Sequence, residues 1–254
     1  MVKISIASYA FHGLLREGKM DLFGYLESCK YRYHLDSADI WNGMLLSTED
    51  DYLAKVKDAL DERGLVLANL CVDGAHFWED DPAAREQHYQ NGLAALHAGE
   101  ALGALTVRID AGGREANWTD EQFDFIVKRY QEFAQRAHDN GYKVGPENHW
   151  GAEADSQNMK KLCEAVNHPA FGVLLHFKGD MADNVTMAPW AMHTHLSWQI
   201  TEGNLTECMT LLRDLGYDGY YGVEHHTGKN EYTEVAVQVA KVRDVLDRWR
   251  IENA

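Results

Sequence analysis

The chain has 254 residues, 45% of them hydrophobic, with four prolines and no low-complexity tract, so it can bury a sizeable core and shows no sign of disorder. A formal net charge of −16 argues against a nucleic-acid partner, because a phosphate backbone needs clustered Lys and Arg. No apolar run approaches the roughly 20 residues of a membrane span, and four scattered cysteines without a CxxC pair fit a reducing cytoplasm better than a disulfide framework.

Short β-rich runs alternate with longer amphipathic segments from end to end. The opening run MVKISIASYAF lacks a charged leader and reads as a first strand, Val2–Ser8. Further strands are expected at Ala38–Asn42, Val66–Val72, Leu105–Asp110, Lys143–His149, Gly172–His176, Ala191–Ser197 and Tyr220–Glu224. Helical patterns lie between them at Glu49–Arg63, Pro82–Leu102, Asp120–Asn140, Ser156–Asn167, Leu205–Leu215 and Thr233–Trp249. Thr119 with Gln122 spells a capping box, and Gly64 and Gly141 are placed as helix stops. The weakest helical pattern is the sixth connection, Gly179–Pro189.

Parallel strands need helical crossovers, so eight strand–helix units in this order predict a single-domain (β/α)8 barrel over residues 1–254. The competing open, doubly wound sheet is disfavoured because the first strand–helix turn, SYAFHGLL, has no glycine-rich phosphate loop. No linker or domain boundary is visible.

Barrel enzymes draw their catalytic groups from the C-terminal ends of strands, and the polar residues here sit there. His12 follows the first strand, Asp39 and Asn42 close the second, Asn69 and Asp73 the third, Arg108 and Asp110 the fourth. The last four strands end on Glu147 (GPENHW), His176 (FGVLLHFKGD), His195 (HTHLSW) and Glu224 (GYYGVEHH). If the barrel closes, these four meet at one mouth as two carboxylates and two imidazoles. Such a donor set suits Mn2+, Zn2+, Co2+ or Fe2+ better than Mg2+. His193 lies on the same face of its strand and could replace His195. His149 and Lys178 are placed to protonate or polarise a substrate oxygen, with His12, Asn69, Arg108, Asp110 and Trp198 as substrate contacts. His225 and His226 read as loop residues of which one could orient a ligand, and Cys71 as barrel core.

ENH at the fifth strand, the lone ligand histidine of the seventh and GYDGYYGVE at the eighth resemble the xylose isomerase-like barrel superfamily of sugar isomerases and epimerases. The resemblance implies one divalent ion, most often manganese, held by Glu147, the strand-six residue, His195 and Glu224, with the glutamates as acid–base pair. Relatives usually carry Asp-x-x-x-His or Asp-x-x-His at strand six. Here the stretch is His176-Phe177-Lys178-Gly179, so a histidine takes the ligand place, the second histidine is missing and a lysine is supplied.

The leading expectation is a metal-dependent isomerase or epimerase of a non-phosphorylated sugar or polyol. Its rival is a lyase or dehydratase on a 3-keto sugar, an inosose or an oxidised C-glycoside, since the superfamily includes such lyases and some need a small partner subunit. A homo-oligomer is also compatible with the chain. An endonuclease IV-like nuclease needs a basic surface, which the charge denies. A binding subunit with a vestigial site would carry no stoichiometric metal.

Overall fold

A computed structural model of the chain describes residues 3–252, so Val2 of the expected first strand lies outside the described residues. Eight strands occur in the expected order: β1 (Ile4–Ile6), β2 (Ser37–Trp41), β3 (Val66–Val72), β4 (Thr106–Ile109), β5 (Lys143–Gly145), β6 (Val173–His176), β7 (Ala191–Leu196) and β8 (Tyr221–Val223). All pair in parallel. One ladder runs β1-β8-β7-β6 and the other β2-β3-β4-β5. Parallel bridges Ala7–Asp39, Val144–Phe171 and Glu147–Leu174 join the two, so the ring closes into a barrel.

The helices are α1 (His12–Arg16), α2 (Leu22–Glu27), α3 (Asp50–Glu62), α4 (Pro82–Leu102), α5 (Asp120–Asn140), α6 (Ser156–Val166), α7 (Met181–Met187), α8 (Trp198–Glu202), α9 (Leu205–Asp214) and α10 (Glu231–Glu252). Among the described residues none is long and apolar enough to cross a membrane. Local chemistry sets their ends. Asp81 caps α4 ahead of Pro82, whose missing N–H suits a first turn. The Thr119–Gln122 capping box opens α5 and Gly141 closes it at φ 78°. The sixth connection does hold a helix, α7, started by the Asp180 carboxylate on the Ala182 N–H.

Strand β5 stops sooner than the sequence pattern suggests, because Pro146 has no N–H to give a ladder. The chain nevertheless continues alongside β6 through the Glu147–Leu174 bridge, which keeps Glu147 at the mouth. Alternation then decides which residues enter the barrel. In β7, His193 and His195 share the inner face while Met192 and Thr194 take the other. Gly222, paired with His195 in β8, makes room for them. A Cβ there would stand 2.4 Å from the Thr194 carbonyl and 3.1 Å from each histidine ring. Apolar residues such as Val107, Ile109, Val144 and Leu175 form the core with Tyr130, Phe133 and Leu96 of the covering helices.

Candidate metal centre

Inside the barrel, below the mouth, lies a polar stack that is almost wholly buried: Asp39, Asn69, Arg108, Glu147, His193 and His195 are at most 3% exposed. Burying polar and charged groups costs several kcal/mol unless each finds a partner, so the pairing pattern identifies what the stack is built for. Glu147, His176, His195 and Glu224 converge, with one ligand atom from each within 4.8 Å of the others. His176 Nδ1 lies 2.9 Å from Glu147 Oε1 and 3.3 Å from Glu224 Oε2. His195 Nδ1 lies 3.8 and 3.4 Å from the same two oxygens.

The far side of His195 is fixed. Its Nε2 is 3.0 Å from Asp39 Oδ2, which also meets His193 Nε2 at 2.7 Å. Asn69 donates its amide to Asp39 Oδ1 at 2.9 Å, and the Thr106 hydroxyl donates to the Asn69 carbonyl. With its Nε2–H given to Asp39, His195 turns a lone pair toward two carboxylates. Its Nδ1 and Glu224 Oε2 are both buried without a hydrogen-bond partner. A lone pair facing anionic oxygens is repulsive until a positive charge sits between them, so these donors fit a divalent cation. The same imbalance appears in the proton affinities. Burial opposes a charge on His195, yet Glu224 and Asp39 outweigh it and push the imidazole well above its ordinary pKa. Burial likewise opposes charge on Glu147 and Glu224, but the neighbouring imidazoles of His176 and His195, with the Arg108 charge, hold the first well below the carboxylate range, and the His195 charge does so for the second.

Asp39 was legible only as a strand-end acid, and its histidine partners lie over 150 residues away. By orienting a ligand imidazole through its other nitrogen it sets the ring tautomer. Asp39→Asn is therefore expected to weaken divalent-metal affinity about 10–100-fold, measured by competition with a chromophoric chelator. Unchanged affinity would remove Asp39 from the site's support.

The remaining expected site residues are distributed around this centre. Arg108 directs its donors at Cys71 Sγ, the Val72 carbonyl, Asp73 and Asp110, with Nε also 3.3 Å from Glu147 Oε2. It has no donor left for a substrate, so it braces Glu147 from below. Asn69 is engaged in the same way with Asp39 and Thr106. Asp110 accepts from Arg108 and from the Trp150 indole at 3.1 Å, while its Oδ1 is buried without a partner. His149 is exposed at the mouth, close enough to Asp110 for its charge to be felt there. Lys178 donates its ammonium to the Ala154 carbonyl at 3.0 Å, tying the loop after β6 to the turn after β5. His12 stacks on Tyr9 at 4.5 Å, and Trp198 meets the His225 ring edge-on at 6.3 Å.

His226, one of the two loop histidines read as able to orient a ligand, and Glu153, which the sequence reading did not mark, lie beside the site. His226 brings Nε2 to 3.2 Å from Glu224 Oε2 and stacks on His176 at 5.7 Å. Together with Tyr9 and Trp41 it forms an aromatic wall along one side of the mouth. Glu153, in the short 3-10 turn after β5, is fully buried and takes the Ala111 N–H on Oε1 at 2.6 Å. Nothing in the sequence periodicity marks it. Its other oxygen has no partner, and burial, reinforced by Asp110, pushes its carboxyl well above the ordinary range.

The sign of that shift gives a stability prediction. A carboxyl whose folded pKa exceeds its unfolded value holds its proton on folding, so stability falls as pH rises from the unfolded pKa toward the folded one. Glu153→Gln keeps the acceptor for Ala111 and removes the titration. The variant should be more stable than the parent at pH 8 by at least about 1 kcal/mol, or about 2–4 °C in Tm, with the gap closing toward pH 4. A gap that does not change with pH would contradict it.

A cavity of about 740 Å³ opens at the other end of the barrel, lined by residues that include Lys3, Thr106, Tyr142, His193 and Tyr217. It reaches neither Glu147 nor Glu224, so it is separate from the four converging side chains.

In structure the chain is similar to the IolI protein with a bound zinc atom, with a TM-score of 0.75 and 16% identity over 97% of this chain and 99% of that one. It is similar to the 3-keto-D-glucoside 4-epimerase YcjR from E. coli at a TM-score of 0.74 and 15% identity, covering 96% and 100% of the two chains. The probable 3-DHS dehydratase AsbF of petrobactin synthesis from Bacillus anthracis follows at 0.71 and 13%, covering 95% and 99%. At these identities the likeness is one of fold. No curated protein matches the sequence. The family described as xylose isomerase-like TIM barrel matches residues 33–248, which is most of the sequence, and the chain belongs to that family.

Proposed function

We propose that the protein is a divalent-metal-dependent isomerase or epimerase of a non-phosphorylated sugar or polyol that moves a proton beside a carbonyl between two glutamates. The observation that carries this reading is the pair Glu147 and Glu224. They come from β5 and β8 and turn carboxylate oxygens onto the same two imidazoles, His176 and His195. The ion would be held by these four residues, with manganese as the ion we propose and zinc, cobalt or iron as the alternatives its donor set admits. When bound, it would polarise a substrate carbonyl and stabilise the negative charge left by proton loss.

The chain's own residues supply the rest. Glu147 is kept ionised by His176 and His195, with the Arg108 charge adding to them, and so can accept a carbon-bound proton, while Glu224 can return one from the other side of the site. Asp39 holds His195 in one tautomer. The wall of Tyr9, Trp41 and His226 offers aromatic faces to the apolar face of a sugar ring. His149, His12 and Trp198 lie at the rim as further substrate contacts in this proposal, and Lys178 as a polar group on the loop after β6.

The wall also contains the feature that favours a second reading. His226 is 44% exposed beside Glu224. It can hand a proton to a departing hydroxyl or aglycone, which would make the protein a lyase or dehydratase on a 3-keto sugar, an inosose or an oxidised glycoside. A resemblance in fold to both an epimerase and a dehydratase supports either outcome.

One experiment separates them. Metal-loaded protein is incubated in deuterated water with a panel of ketoses, inososes and 3-keto glycosides and followed by NMR. Deuterium entering beside the carbonyl with all hydroxyls retained supports the first reading, and an unsaturated product or free aglycone supports the second. Absence of carbon-bound exchange in every case, with metal bound, would sink both.

A further inference from the structure

Three more ligand-type side chains converge outside the four-residue centre. His76 follows β3, Glu79 is three residues on in the same loop, and His88 projects from α4. His76 Nε2 lies 2.5 Å from Glu79 Oε1, and the rings of His76 and His88 are tilted by 31° with centroids 3.9 Å apart. One ligand atom from each residue lies within 4.8 Å of the other two. His88 Nδ1 is buried and has no hydrogen-bond partner. The His76 and Glu79 side chains are only 14% and 21% exposed.

This is not the environment of an ordinary surface histidine pair. Two imidazoles at contact distance beside a carboxylate repel if both are charged, and leave a nitrogen lone pair unmet if they are neutral. The His76 ring is also held in place from two sides. Gly112, at φ 86°, lets the backbone approach so closely that a Cβ there would stand 3.0 Å from the ring, and Trp150 abuts it edge-on at 5.6 Å. Arg85 donates its Nε–H to the Glu79 backbone carbonyl at 2.8 Å, whereas the Glu79 carboxylate meets Arg114, 83% exposed, only at 4.0 Å. The protein thus preorganises two nitrogens and an oxygen, and among the described residues no ion pair closer than 4.0 Å brings a Lys or Arg charge to that carboxylate.

We infer that His76, Glu79 and His88 form a second divalent-metal site, of the two-histidine, one-carboxylate type that suits zinc. Its ion replaces the proton shared by His76 and Glu79 and takes the free nitrogen of His88, leaving a fourth position for water. Bound there, it clamps the loop after β3 to α4. It also fixes the face on which Trp150 rests, and the Trp150 indole donates to Asp110, which is paired with Arg108.

The site is tested by zinc stoichiometry in stripped full-length protein, measured by elemental analysis after gel filtration. The parent is expected to retain two equivalents per chain. Glu147→Gln with Glu224→Gln should retain one, and adding His88→Asn to that pair should reduce it to none. In the Glu147→Gln, Glu224→Gln background, zinc should still raise Tm and change tryptophan fluorescence, and Glu79→Gln should abolish both responses. Cobalt in that background gives a visible d–d spectrum that His88→Asn should remove, which provides a readout on folded protein if one variant is unstable. A parent that retains one equivalent, or a His88→Asn variant that still retains two, overturns the second site without touching the first.

Discussion

Glu224→Gln is expected to lower the rate of carbon-bound proton exchange by about 10²–10⁴-fold while the barrel stays folded. The substitution is nearly isosteric and removes a charge and a base. Because Glu224 Oε2 is buried without a partner and faces both ligand imidazoles, metal affinity should fall as well. The two effects are separable. Saturating metal should restore binding, seen as a normal KM for a substrate whose oxygens meet the ion, but should not restore kcat. Glu147→Gln provides the internal control. If the two carboxylates serve opposite faces of the reacting carbon, each variant should still exchange deuterium into one substrate epimer while neither interconverts the pair. Full recovery of kcat at high metal concentration in both variants would show that the glutamates are ligands alone, and the acid–base assignment would fall.

The parts of this centre that were legible in the sequence are those governed by local rules. Strand-end position and the ENH and GYYGVE contexts pointed to Glu147, His176, His195 and Glu224, and these four do converge. Alternation along AMHTHL placed His193 beside His195, but nothing local could say that only His195 faces the glutamates while His193 turns to Asp39. That division is set by ring closure and by the glycine opposite, both long-range features. Arg108 shows the converse limit of a local reading. A cation at a strand end reads as a substrate contact, yet its surroundings consume every donor. Glu153 sits in a 3-10 turn with no periodicity to reveal that it is fully buried. The shortening of β5 was readable from Pro146, whereas the bridge that keeps Glu147 aligned beyond it was not.

Arg108→Met should cost about 3–5 kcal/mol of stability, or roughly 10 °C in Tm, the largest stability loss expected of any side chain in the barrel interior. The guanidinium is 3% exposed and forms ion pairs with Asp110 at 2.9 Å and with Glu147 at 3.3 Å. Removing it leaves Asp110 with the Trp150 indole alone and Glu147 with the imidazoles alone, and strands the Val72 carbonyl. Lysine is a poor substitute, because one ammonium cannot span acceptors that the planar fork meets together, so Arg108→Lys should recover only part of the loss. Activity should fall further than stability, since Glu147 loses one of the charges that keep it ionised and positioned. The decisive comparison is a double-mutant cycle with Glu147→Gln. If Arg108 acts on Glu147, the second substitution relieves an unpaired charge, and the combined loss is smaller than the sum by about 0.5–3 kcal/mol. Additive losses would mean that Arg108 serves Asp110 and the β3 end alone, and that Glu147 owes its charge to the imidazoles and the cation instead.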